Sequence, residues 1–512
     1  MSVCLRRLGL LVLLVLPWLW PFTSGPTAGA QPYLVSLTCA ALLLALWPVR
    51  QDARQTLAWV AGAWLAAAAV SSAIALAQYF DLEGPLYPWV NLAQPGQAFG
   101  NLRQPNQLAT LLVIGLAALR WHVQARRLPR GAAGGLAALL LAALAATASR
   151  IGGVELLALA AMAAWWSRGQ GRGRTVARVA AVAVAAYVAA ALLLPWLAES
   201  TEGVAGRDMV ERLRTAESTC GSRLILWRNV LHLIALKPWT GWGWGELAWA
   251  HYITLFPGPR FCHILDNAHN LPLHLAVELG VPLAVGACAA LAWLIWRGAP
   301  WREHDPARQL AWGVLILIGL HSMVEYPLWY GPFQIAAVVS VWGLWRTRAA
   351  APPVPPGARA SGVRLSAAAL LLAATAYASW DYWRISQVYL SPEERTAWWR
   401  DDPMAAAQRS WLFAGGVRFA EVTTRPVTRA DAAWMLAAAS RCLHYSPEPR
   451  VIIRVIESAS LLGQDDLALA HMARFRAAFP ADYRAWTQDN DRLLEGARAL
   501  RQAASAASQP AR

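Results

Sequence analysis

Leu57-Ala-Trp-Val-Ala-Gly-Ala-Trp-Leu-Ala-Ala-Ala-Ala-Val-Ser-Ser-Ala-Ile-Ala-Leu-Ala-Gln-Tyr79 contains no charged side chain. A helix needs about 20 apolar residues to cross the hydrocarbon core of a bilayer, so this stretch reads as a membrane span. Outward from it the same reading repeats at Leu8–Phe22, Tyr33–Val49, Asn106–Trp121, Ala132–Ser149, Gly152–Trp166, Val176–Leu197, His269–Trp296, Gln309–Met323, Pro332–Trp345 and Leu365–Trp380. The 512-residue chain is 57% hydrophobic, with mean hydropathy +0.35, whereas a soluble domain is about 45–50% apolar. The expected fold class is all-α: a polytopic inner-membrane helical bundle of about eleven spans.

The arginines orient it. Arg50/Arg54, Arg126/Arg127/Arg130, Arg168/Arg172/Arg174/Arg178, Arg297/Arg302/Arg308 and Arg346/Arg348/Arg359/Arg364 lie in alternate loops. With eleven spans, all these loops and the N-terminus share one face, as positive-inside bias requires of the cytoplasmic side. The same placement accounts for the net charge of +15 and argues against nucleic-acid binding. Lys237 is the one lysine, so the excess is almost all arginine. Leu8–Phe22, after Arg6 and Arg7, reads as a retained first helix and not as a signal peptide, because it carries Pro17, Trp18 and Trp20 and lacks a clean cleavage site.

The opposite, periplasmic face then receives Phe80–Pro105, Ser149–Ile151, the large loop 198–268, the turn Val324–Gly331 and everything after Trp380. The expected organisation is a membrane catalytic domain over 1–350, a proline-rich cytoplasmic linker over 351–364, a last membrane helix over 365–380 and a periplasmic helical domain over 381–512. In that last region apolar residues recur at helical spacing, as in Val451-Ile-Ile-Arg-Val-Ile456, between breaks at Ser446-Pro-Glu-Pro449 and Phe479-Pro-Ala-Asp-Tyr483. Stacked hairpins of the tetratricopeptide kind would give this pattern.

Chemistry-bearing residues collect on the periplasmic face. Asp266-Asn-Ala-His-Asn270 stands where the large loop re-enters the membrane. Histidine accepts protons near neutral pH, which makes His269 a candidate base; a histidine capping a helix start is the bland alternative. Arg150 closes a span on the face where arginine is disfavoured. It either snorkels to headgroups or presents its planar fork to a pyrophosphate. Arg103, Gln104, Asn106 and Gln107 either mark a helix N-terminus beside Pro105 or form a dense donor set of the kind that sugar hydroxyls need. His321 and Glu325, four apart, face a shared helix side either as functional groups or as a pair fixing two helices. Arg223–Leu236 reads as a helix lying on or dipping into the membrane surface, a plain surface helix being the alternative. Cys220 and Cys262 bracket the large loop in an oxidising compartment, which is compatible with a disulfide. His251, His263 and His269 lack metal-like spacing, and Gly241-Trp-Gly-Trp-Gly245 lacks the lysine and hydroxyl of a nucleotide-phosphate loop, so neither a metal nor another cofactor is expected.

Taken in order, Gly100-Asn-Leu-Arg-Gln-Pro-Asn106, Ser149-Arg150, Arg223 with Trp227, Lys237-Pro-Trp-Thr-Gly-Trp-Gly243, Asn267-Ala-His-Asn-Leu271 with Glu278-Leu-Gly280, and His321-Ser-Met-Val-Glu-Tyr-Pro-Leu-Trp329 resemble the O-antigen ligase and polymerase superfamily. They are most similar to its protein O-oligosaccharyltransferase branch, the pilin-glycosylation ligases. The resemblance covers about residues 1–350 and departs at Gln107, where relatives often carry histidine. It implies a donor oligosaccharide on undecaprenyl pyrophosphate and, as acceptor, a Ser/Thr hydroxyl of pilin or another exported protein. It further implies that His269 is essential, that Arg150 and Arg223 hold the pyrophosphate, and that Asn267, Asn270 and Tyr326 support the site. Direct attack predicts inversion at the anomeric carbon, and charge neutralisation by the arginines predicts a metal-independent glycosyltransferase. Rival readings are a ligase acting on lipid A-core, an O-antigen polymerase, and, in another class, a proton-coupled transporter using His321 and Glu325.

Overall fold

The computed structural model describes residues 3–48, 52–168, 171, 173–202, 220–348 and 358–507. Among these no strand occurs, and the chain is all helical. Twenty α-helices follow in chain order: α1 (Val3–Leu19), α2 (Ala30–Leu46), α3 (Ala53–Tyr79), α4 (Pro105–Gln124), α5 (Arg130–Ala146), α6 (Arg150–Ser167), α7 (Gly173–Glu202), α8 (Arg223–Leu236), α9 (Leu247–Ile253), α10 (Leu271–Leu279), α11 (Val281–Gly298), α12 (Pro306–Ser322), α13 (Gly331–Arg346), α14 (Ala358–Ser386), α15 (Pro403–Ala407), α16 (Ala414–Thr424), α17 (Ala432–Tyr445), α18 (Pro449–Leu461), α19 (Asp465–Ala478) and α20 (Pro480–Ala507). Four of the described helices are long and apolar enough to cross a membrane: Ala53–Tyr79, Gly173–Glu199, Val281–Arg302 and Ser361–Tyr389. The proline-rich stretch Pro352–Pro356 and residues 203–219 of the large loop lie outside the described residues.

The chain forms two compact units. The first comprises Met1–Glu217, His269–Leu271 and Gly286–Asp401; the second comprises Ser218–Ala268, Pro272–Val285 and Asp402–Arg512. The partition cuts across the linear organisation expected from sequence, because the tail from Asp402 clusters with the large loop. The helix expected at 365–380 lies inside the longer α14.

In the first unit, small residues let helices approach closely. A Cβ on Gly115 of α4 would stand 2.4 Å from Ala68 of α3, and one on Gly152 of α6 would stand 2.8 Å from Ala109 of α4. Leu108, Leu111, Leu112, Ile114, Leu140 and Leu144 fill the space between, fully buried. Local signals set the helix starts. Pro105 occupies the first turn of α4, the Ser149 hydroxyl accepts the Gly152 amide to cap α6, and Asp305 accepts the Ala307 amide beside Pro306 to cap α12. Arginines on neighbouring helices also close α2. Arg6 and Arg364 both donate to carbonyls in the last turn of α2, at Leu46 and Leu44 respectively, where cations complement the helix dipole.

The span expected over His269–Trp296 is broken in the structure. Gly280 has φ +88° and separates α10 from α11. Residues 238–243 run against that break: Val281 donates to Pro238 O at 2.8 Å, and Trp242 and Gly243 donate to Val277 O and Glu278 O, each at 2.9 Å. Two of the sequence motifs are therefore halves of one turn in the second unit. Gly241 has φ +68°, and a Cβ there would lie 2.3 Å from Glu278 O; at Gly245 (φ +78°) a Cβ would meet nothing within 4 Å. Gly241→Ala is expected to cost on the order of 3 kcal/mol and Gly245→Ala about 1 kcal/mol, since only the first adds overpacking to left-handed strain. Thermal unfolding of the two purified variants checks the ranking; equal losses would contradict it.

The second unit also contains the hairpins α17–α18 and α18–α19. Val451, Ile452, Val455, Ile456 and Ala459 form the buried stripe of α18, a helical repeat of apolar positions. Helix α8 is capped by Ser222 and buries Leu226, Asn229, Val230 and Leu233. The face expected to meet lipid is thus partly occupied by protein.

Candidate active site

His269 lies in a turn between Ala268 and α10, not on a helix. Its backbone is left-handed, φ +49°, a conformation that costs energy in a residue with a side chain and that clusters at functional sites. Within the first unit, His269 Nδ1 is 2.7 Å from Glu325 Oε2, with the histidine side chain 19% exposed and the glutamate 6%. Glu325 follows the end of α12, its amide donating to His321 O. Its other oxygen accepts from Asn106 Nδ2 at 3.2 Å, and Asn106 Oδ1 accepts from the Ser149 hydroxyl at 2.7 Å. A carboxylate only accepts, so it fixes both the Asn106 amide orientation and the Nδ1–H tautomer of His269. Asn270 Nδ2 donates to Met323 O at 3.0 Å, and the Tyr326 ring meets the His269 ring edge-on at 5.0 Å.

One layer deeper, Thr110 Oγ1 stands 2.8 Å from Glu155 Oε1 and 2.9 Å from His321 Nδ1; Glu155 and His321 are fully buried. His321 and Glu325, expected to share a helix face, thus hydrogen-bond elsewhere, because α12 ends at Ser322 and Glu325 turns back toward Asn106 and His269. Glu155 and Thr110 were not singled out from sequence. The available signal was Glu155 itself, an acid within the apolar run Gly152–Trp166, since intramembrane ionisable groups are functional candidates by default.

The remaining predicted residues divide between the two units. Arg150 begins α6 and is exposed in the first unit. Arg103, also there, donates to Pro21 O and Asn91 Oδ1 and bonds Thr23, so its guanidinium fastens a loop. Gln104 precedes α4 and Gln107 is buried in its first turn. Arg223 and buried Asn267 belong to the second unit. There Trp227 Nε1 donates to Ala268 O at 3.1 Å, directly before His269 in the chain, and Cys220 and Cys262 form a disulfide with Cα atoms 5.4 Å apart. Among the described residues no three His, Cys, Asp or Glu side chains converge to hold a metal ion.

His251, in the second unit, is a packing residue. Burial, reinforced by Arg260, pushes it down to about 2. The neutral ring donates from Nε2 to Asn229 Oδ1 and receives Arg260 at Nδ1.

Comparison with known proteins gives three family matches in chain order: a protein glycosylation ligase model over residues 98–121, an O-antigen ligase model over 135–288, and the C-terminal model of a virulence factor membrane-bound polymerase over 309–493. The chain is also similar to a general O-oligosaccharyltransferase of Acinetobacter baylyi, 27% identical over 277 residues, which are 53% of this chain and 47% of that protein. The chain thus spans about half the length of this curated relative.

Proposed function

Because the chain belongs to the O-antigen ligase and protein glycosylation ligase superfamily, we propose that this membrane glycosyltransferase moves an oligosaccharide from undecaprenyl pyrophosphate to a Ser/Thr hydroxyl of pilin or another exported protein. The observation that carries the proposal is the His269–Glu325 pair held by Asn106 and Ser149. In this reading the bundle has about eleven spans, the site and the tetratricopeptide-like tail face the periplasm, and the Cys220–Cys262 bond fits that oxidising compartment.

Each step follows from the dyad. Nδ1–H donates to Glu325, so Nε2 takes the proton of the acceptor hydroxyl, and the carboxylate stabilises the imidazolium that forms. The hydroxyl oxygen bonds to the anomeric carbon as the bond from that carbon to the phosphate oxygen breaks. The lipid pyrophosphate leaves with the electron pair, and the anomeric configuration inverts. Arg150 offers its guanidinium to the growing phosphate charge, which makes the reaction metal-independent. For Arg223 the same role rests on its sequence motif alone.

The test is transfer by the purified full chain from a polyprenyl-pyrophosphate oligosaccharide to a pilin-type acceptor. Glycosylated protein is the expected product. The O-antigen ligase and polymerase matches favour a second reading, and product on lipid A-core or extended glycan in place of glycoprotein would select it.

A further inference from the structure

A cavity of about 460 Å³ lies in the first unit between α2, the loop before it, α14 and the segment that follows α14. Its volume falls in the range of small-molecule sites, about 300–1,000 Å³. The hydrogen-bond inventory of its walls narrows the occupant. Thr38 Oγ1 donates to Leu34 O and Ser386 Oγ donates to Tyr382 O. A hydroxyl has one hydrogen, so both oxygens remain as acceptors. Glu394 adds a carboxylate, also an acceptor. Gln387 Oε1 accepts from Thr396 N and its Nε2 gives one of two hydrogens to Trp383 O, while Gln31 Oε1 accepts from Ser24 Oγ, so both amides keep N–H donors. None of the 14 described lining residues is Lys or Arg. Of the nearby arginines, Arg395 donates to Gln387 O and Leu390 O, and Arg384 pairs with buried Asp381. Walls that both donate and accept suit sugar hydroxyls, which do the same, whereas a phosphate would want the cation that the described lining lacks. Trp383 supplies an aromatic face for apolar C–H groups.

The cavity is linked to the candidate site partly along the chain and partly by hydrogen bonds. Ser24 and Gly25 form one wall; the adjoining Thr23 and Pro21 are held by Arg103. Arg103 leads through Gln104 into α4, where Asn106 bonds Glu325 and Glu325 bonds His269.

We infer that this cavity binds a neutral sugar residue of the donor glycan, beyond the residue at the reaction centre. This inference rests on the transfer reading for the identity of the glycan, but its test does not need transfer. The probe is glycan released by mild acid from the lipid-linked pool of the host. Saturation-transfer NMR measures its binding to the purified full chain, to Thr38→Trp, which fills the cavity, and to Glu394→Gln, an exposed change that leaves packing intact. Binding is expected to weaken at least tenfold in Thr38→Trp and several-fold in Glu394→Gln. Wild-type affinity in both variants would overturn the assignment. So would saturation of phospholipid headgroups, in place of glycan, that is lost in Thr38→Trp. A protein that transfers nothing yet shows the expected weakening would refute the transfer reading and uphold the cavity.

Discussion

His269→Ala should lower the rate of glycan transfer by about 10²–10⁴-fold, the usual contribution of a positioned general base, while KM for the donor and the amount of protein in the membrane stay near wild type. A serine or threonine hydroxyl holds its proton at neutral pH, and the structure offers one imidazole in the turn beside α10, fixed through Nδ1 to Glu325 at 2.7 Å. Alanine removes the base and leaves Glu325 with its Asn106 contact, so the fold loses one partly exposed side chain. Glu325→Gln separates orientation from charge. The amide still reaches Nδ1 but brings no negative charge to stabilise the imidazolium, and its loss should fall mainly on kcat, below that of His269→Ala. Single-turnover transfer with saturating donor measures both. Wild-type transfer by His269→Ala would end the general-base mechanism. An equal fall in membrane protein level would assign the residue to folding instead.

Much of this arrangement is legible in the chain. Apolar runs coincide with helices of the first unit, and caps at Ser149, Ser222 and Asp305 mark where helices begin. Asp266–Asn270 is visible as chemistry because polar residues crowd a membrane boundary. What is hidden has a common cause: pairing over long sequence separation leaves no periodic trace. Nothing local shows that Glu325 turns toward His269, 56 residues away, or that Thr110 links Glu155 to His321. The break at Gly280 was hidden by the apolar residues around it, because hydropathy does not register a positive φ or a second segment closing on the backbone. The Gly-Trp-rich run, which lacks the residues of a phosphate loop, is a turn that packs on the backbone of Val277 and Glu278.

The same limitation concealed the tail, and it yields the second large effect. Deleting residues 402–512 should abolish transfer even though no predicted site residue is removed. Tyr252 of α9 is buried in the cluster made by Met435, Leu443, Val455 and Phe475 of the tail helices, and its hydroxyl is 2.8 Å from His471 Nδ1. Arg474 donates to Ile253 O at the end of α9, and His444 Nδ1 lies 2.7 Å from Glu246 at its start. Burying one large aromatic side chain contributes about 2–3 kcal/mol and the bonds of Tyr252 and Ile253 about 1 kcal/mol each, while the exposed His444–Glu246 pair adds little. Removing the set withdraws on the order of 5 kcal/mol, comparable to the whole stability of a small unit. Residues 218–268 would then lose their order, along with the Ala268 anchor immediately before His269. Acid should weaken the Tyr252–His471 contact. Burial, then Arg474, pushes His471 down to about 4, below its unfolded value near 6.5. The unfolded state therefore binds the proton first, and the contribution is full above about pH 6.5 and lost as pH falls toward 4. Limited proteolysis of the 220–268 loop, in the full chain at pH 7 and pH 4.5 and in the truncated chain at pH 7, reads both effects. A loop that stays protected and active without the tail would show that α9 folds on its own.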